Sequence, residues 1–166
     1  LKYFCQPALN MRKIIALALL VLLSCDEDER IDLKDSSYIT FGHFYGFCLG
    51  EQCIEIFKLT DNGLYEDVLD RYPGSDSPYR GNFKPMDAYK FELVKQLRNE
   101  LPSALLDIEE RRIGQPDAGD WGGYYLEIVH RGKIRFWLMD KNELYLPENL
   151  KPFALKLGAY IEKISD

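Results

Sequence analysis

The chain carries few of the residues that do chemistry. It has two histidines, four cysteines and two tryptophans in 166 residues. No G-x-S-x-G elbow presents a serine nucleophile. No P-loop and no G-x-G-x-x-G turn is there to cradle phosphate. No two cysteines stand with two residues between them, which removes a thioredoxin-type pair. Carboxylates are numerous, yet no spacing selects a catalytic pair. Positive charge is also scarce: 21 Lys and Arg face 27 Asp and Glu, a net charge of −6. Phosphate backbones need a basic face, so nucleic acid is not an expected partner. No apolar run reaches the roughly 20 residues needed to span a bilayer as a helix.

One short apolar run is present. From Met11 the sequence reads MRKIIALALLVLLSC: Arg12 and Lys13, then Ile14 to Leu23 without a polar interruption, then Ser24 and Cys25. A basic start, a short apolar middle and a small-residue boundary describe a secretory signal rather than a structural element. Leu22-Leu23-Ser24-Cys25 resembles the lipobox of bacterial lipoprotein precursors. The resemblance implies that Cys25 is lipidated and becomes the first mature residue. Residues 1–10 then read as upstream overhang, 11–24 as signal peptide and 25–37 as an acidic tether. Losing Lys2, Arg12 and Lys13 takes the mature net charge to about −9. Anchoring to the membrane must come from acyl chains, because an acidic surface is not drawn to anionic lipid. Asp26 to Glu29 are a solvated spacer or a sorting signal, and the expected address is the outer membrane, in either leaflet.

Residues 38–166 read as a single α+β domain. Strands are expected over 38–45, 54–60, 64–69, 124–130 and 133–139, from their β-branched and aromatic content. Asn62-Gly63 and Arg131-Gly132 mark two hairpin turns, Asn-Gly through the positive φ angles it tolerates. Pro85 opens a helix whose Met86, Tyr89, Leu93, Leu97 and Leu101 share one face. Residues 103–113 read as a second, short helical piece. A closing helix starts near Lys151 and turns Phe153, Ala154, Leu157, Ile161 and Ile164 inward. The predicted order β-β-β-α-β-β-α makes two layers: an antiparallel sheet of about five strands with two helices on one face. The run of aromatic first strand, cysteine-bearing second strand, Pro-Asp loop, hairpin and final helix resembles small lipoproteins of the Bacteroidota type. That resemblance implies no activity and no catalytic residues.

Candidate sites follow from the compartment. Cys48 and Cys53 form an even pair in a secreted chain, which reads most simply as a disulfide. Free thiols are one alternative. Another is a metal set of His43, Cys48 and Cys53, three ligands where zinc takes about four. His43 lies in an aromatic strand and reads as a packed histidine. Asp117, Asp120 and Trp121 share a glycine-rich loop. Two loop aspartates usually stabilise turns, and no EF-hand spacing supports calcium. Trp121 is either a contact residue or a cap on the core. The expected function is a lipid-anchored, non-catalytic binding module of the cell envelope, with no cofactor. Its partner is a protein, basic if charge drives the encounter, such as a basic hydrolase. The alternative is a metal-handling or enzymatic envelope protein using His43, Cys48 and Cys53.

Overall fold

The computed structural model describes Arg30, Ile31, Leu33 and residues 38–130 and 132–165. Residues 11–24, read as a signal peptide, and Cys25 lie outside the described residues. The packed chain reaches back into the stretch read as tether. Ile31 and Leu33 are buried in the main core, and the Ile31 N–H donates to the Leu101 carbonyl at 2.8 Å.

Seven strands form one mixed sheet. They are β1 (Tyr38–Phe44), β2 (Ile54–Thr60), β3 (Leu64–Asp67), β4 (Phe83–Pro85), β5 (Arg112–Ile113), β6 (Gly123–His130) and β7 (Lys133–Asp140). Their spatial order is β4-β3-β2-β1-β6-β7-β5, antiparallel except for β5 on β7. The five expected strands form close to where their β-branched and aromatic content placed them, with β3 ending two residues early. The expectation of an all-antiparallel, five-stranded sheet is corrected by the two edge strands. Pro85 ends β4 instead of opening a helix; an edge strand tolerates proline because its missing N–H is not needed by a neighbour. β5 replaces the end of the expected helical piece. It is reached by a crossover rather than a hairpin, so it can pair in parallel, Arg112 opposite Leu138 and Ile113 opposite Met139.

Two helices cover one face, α1 (Ala88–Val94) and α2 (Lys151–Ile164). α1 is shorter than the apolar spacing suggests: it tightens into a 3₁₀ turn over Lys95–Asn99. Val94 and Leu97 are buried while Tyr89 faces water. α2 accepts Pro152 in its first turn, where no intrahelical bond is lost. Phe153, Leu157 and Ile161 pack with Ile39, Phe41, Phe57, Leu126 and Trp137 of the sheet.

The opposite sheet face holds a second, smaller core of Phe44, Ile56, Tyr125, Phe136 and Leu138. Its cover is the loop between β3 and β4, through Tyr79 and Phe83. A loop contributes little apolar area, so polar anchors fasten it. Tyr79 Oη donates to buried Asp67 Oδ2 at 2.6 Å, and the Tyr79 N–H reaches Tyr125 Oη at 2.8 Å and Glu127 Oε2 at 3.1 Å. Tyr125 Oη donates to Glu127 Oε2 at 2.6 Å.

The two hairpins form as expected, with one difference. Gly132 takes a φ of 74°, but neither Asn62 nor Gly63 has a positive φ. The first turn is held instead by Thr60, whose N–H and hydroxyl both donate to the Gly63 carbonyl, at 2.9 and 3.1 Å.

Candidate functional site

The end of β1 carries the cysteine loop. Cys48 and Cys53 form a disulfide with a Cα–Cα distance of 5.6 Å. The Tyr45 N–H donates to the Cys53 carbonyl at 2.9 Å, so the bridge closes a loop already pinned at its base. The disulfide leaves no thiolate to join His43. Among the described residues no three His, Cys, Asp or Glu are grouped to hold a metal.

His43 is half-buried and faces Glu55 across the strand pair. Its Nε2–H donates to the Gln52 carbonyl at 2.9 Å. Burial lowers its pKa first, and the charge of Lys141 lowers it further, against the Gln52 carbonyl and Glu55, which raise it. The ring is therefore neutral at pH 7, with its Nε2 proton engaged. Lys141 lies over the ring of Tyr45 at 4.3 Å and donates to the Tyr45 hydroxyl. This corner is internally satisfied packing, apart from Glu55 Oε2, which meets no donor among the described residues.

The loop between β5 and β6 is built differently. Its backbone turns through left-handed conformations at Asp117 (φ 61°), Gly119 (69°), Asp120 (63°) and Gly122 (77°). Aspartate tolerates that region better than most residues, at a cost of roughly 1–2 kcal/mol for each non-glycine position. Several bonds hold the shape. The Asp117 N–H donates to the Gly122 carbonyl at 2.8 Å, and the Gly122 N–H returns to Asp117 Oδ1 at 3.0 Å. Tyr72 Oη donates to Asp117 Oδ2 at 2.8 Å, which ties this loop to the one covering the second core. Burial, then the bond to Asp117, pushes the Tyr72 hydroxyl up to about 12, so it remains a donor at any physiological pH.

On this braced loop Trp121 is 76% exposed. A tryptophan offers roughly 150–250 Å² of surface. Leaving three quarters of it in water forgoes about 3–5 kcal/mol at about 25 cal/mol/Å². The fold holds Trp121 outward on a rigid support, so it is not a cap on the core.

Beside the indole lies a cleft of about 240 Å³ lined by Gln115, Ala118, Asp140, Asn142 and Tyr145. Asp140 is buried and organises its floor. Its Oδ2 accepts the Gln115 N–H at 2.9 Å and its Oδ1 the Asn142 N–H at 2.8 Å. Asn142 Oδ1 accepts the Leu144 N–H at 3.0 Å and starts the 3₁₀ turn Glu143–Tyr145. That turn presents Leu144 and Tyr145 to solvent. Gly114 (φ 77°) lets the turn sit close: a Cβ there would come within 2.9 Å of the Tyr145 carbonyl oxygen. On the far side of Tyr145 a second, more open cleft of about 390 Å³ runs along Glu110, Arg112 and Leu144.

Of the residues expected to make contacts, Trp121 is therefore on the surface beside a cleft. Asp117 is not free to make them, since both its oxygens are engaged within the protein. Asp120 is exposed in the same loop. Gln115, Asn142 and Tyr145 were not anticipated. The only sequence signal was Asp140-Lys141-Asn142, a turn-forming cluster directly after a strand. No protein-family model, no curated protein and no solved structure matches this chain. The site's geometry is therefore the basis for a functional reading.

Proposed function

We propose that the protein is a non-catalytic binding module, held at a membrane of the cell envelope through Cys25, and that the Trp121 face is its contact surface. The observation that carries the reading is Trp121 itself, fixed outward on a hydrogen-bonded loop beside a cleft. Aromatic side chains on rigid loops deliver binding energy with little loss of conformational freedom. Envelope location rests on the sequence MRKIIALALLVLLSC alone.

Two measurements test the two halves. Cys25→Ser in the full chain is expected to abolish membrane partition or leave an unprocessed precursor; normal processing and retention would end the lipoprotein reading. For the surface, wild type and Trp121→Ala are titrated with detergent-free envelope extract while tryptophan emission is followed. Trp137 is 1% exposed and serves as the internal reference. A saturable change in wild type and none in the variant is expected. Equal responses from both proteins would remove Trp121 as the contact.

A further inference from the structure

We infer that the Trp121 cleft takes a neutral sugar ring, and that the occupant is a short stretch of an uncharged glycan. The inference rests on the reading of this face as a contact surface and names what it contacts.

The chemistry of the cleft is specific. Its apolar elements are an exposed indole and the 53% exposed ring of Tyr145. Its free polar groups are amides. The Gln115 side chain has no partner within the described protein. Asn142 uses its oxygen on the Leu144 N–H, and no acceptor within the described protein takes its Nδ2–H. Among the described residues Asp140 is the only charged one lining this cleft, and both its oxygens are engaged by backbone N–H groups. Asp140 therefore positions Gln115 and Asn142, and the free donors and acceptors are uncharged.

A ligand that matches needs a flat apolar face for the indole, hydroxyls that both donate and accept at its rim, and no net charge. A pyranose ring has these features: C–H groups cluster on a face, and hydroxyls point outward toward the amides. An anionic ligand would meet a carboxylate floor with no cation lining the cleft. An extended peptide binds by adding to an exposed sheet edge, and this cleft is lined by loop and turn residues and the last residue of β7.

Size makes the mode of binding clear. The cleft of about 240 Å³ is below the roughly 300–1,000 Å³ of pockets that enclose a drug-sized ligand. It fits one ring resting on its face, not a swallowed molecule. The neighbouring cleft of about 390 Å³ shares Tyr145 as a wall and would receive the next rings. Affinity should therefore grow with chain length.

The test is an emission titration of the purified full-length protein with neutral gluco-, manno- and galacto-oligosaccharides of one to four rings. Trp121 is expected to respond saturably to at least one series, with about tenfold tighter binding from one ring to three. Trp121→Ala should abolish the response, and Gln115→Ala should weaken it about tenfold while leaving the melting temperature unchanged, because that side chain supports nothing else. A Trp121 response to envelope extract, to basic proteins or to charged sugars, but to no neutral oligosaccharide, overturns the sugar assignment and leaves the contact surface standing. No Trp121 response to extract or to any of these ligands overturns both.

Discussion

At the scale of single residues, the contrast is between groups whose bonds are complete and groups left open. His43, a polar residue in a half-buried strand, proves to be engaged through its ring with the Gln52 carbonyl. Trp121 is apolar, yet it is left outside. Tyr72 connects the two loops, and its removal gives a clean prediction. Tyr72→Phe deletes the hydroxyl that donates to Asp117 at 2.8 Å and keeps the ring against Phe44. The expected loss of stability is about 1–2 kcal/mol, the usual value of a hydrogen bond to a charged acceptor on a partly exposed group. Amide exchange over residues 115–122 should accelerate more than elsewhere. Uniform exchange with unchanged stability would show that the Asp117 loop does not depend on Tyr72.

At the scale of elements, α2 and the cysteine loop stabilise by different means. α2 contributes buried surface, and Leu157 is fully enclosed between it and the sheet. Leu157→Ala should cost roughly 2–5 kcal/mol, measured by denaturant unfolding with an unchanged m-value. Trp121→Ala in the same assay should fall within about 0.5 kcal/mol of wild type. A large loss at Trp121 would mean that its loop draws stability from the indole. The cysteine loop contributes by constraining the unfolded chain. Cys48 and Cys53 are five apart in sequence, so the loop is short and the gain small. Replacing both with serine should cost about 2 kcal/mol and leave β1 and β2 paired. Unchanged stability would indicate that the hydrogen bonds at the loop's base suffice without the bridge.

At the scale of the whole molecule, tyrosines that are wholly or partly withdrawn from water set the alkaline limit. Burial is the main cause that raises Tyr72 and Tyr124 to about 12, and Tyr79 and Tyr125 are raised as well. In the unfolded chain these hydroxyls ionise near pH 10. The folded form therefore holds protons that the unfolded form releases. Stability is complete below about pH 10 and declines as pH rises from there through about 12. Phenolate absorbance should show these tyrosines ionising late and together with unfolding, while the denaturant midpoint falls above about pH 10. All tyrosines titrating near pH 10 in a protein that stays folded would contradict the buried networks described for the second sheet face.

The sequence by itself determined the elements long enough to carry a signal of their own. β1, β2, β6 and β7 are rich in β-branched and aromatic residues, the hairpins carry turn residues, and α2 repeats its apolar positions every three or four residues. An even cysteine pair, in a chain read as secreted, was enough to expect the disulfide. Elements of two or three residues have no period, so β4 and β5 became visible only when neighbouring edges supplied hydrogen-bond partners. The shortening of α1 was likewise a packing outcome, since Met86 to Leu101 keep a helical spacing that the chain does not follow throughout. The site depended most on tertiary structure. Trp121 was legible as a candidate, but its direction was not, because loop sequence does not encode what lies beside it. Gln115 and Asn142 are 27 residues apart and come to one cleft because Asp140, at the end of β7, binds the N–H of both. That convergence is set by strand pairing across the sheet, a long-range arrangement that no local pattern records.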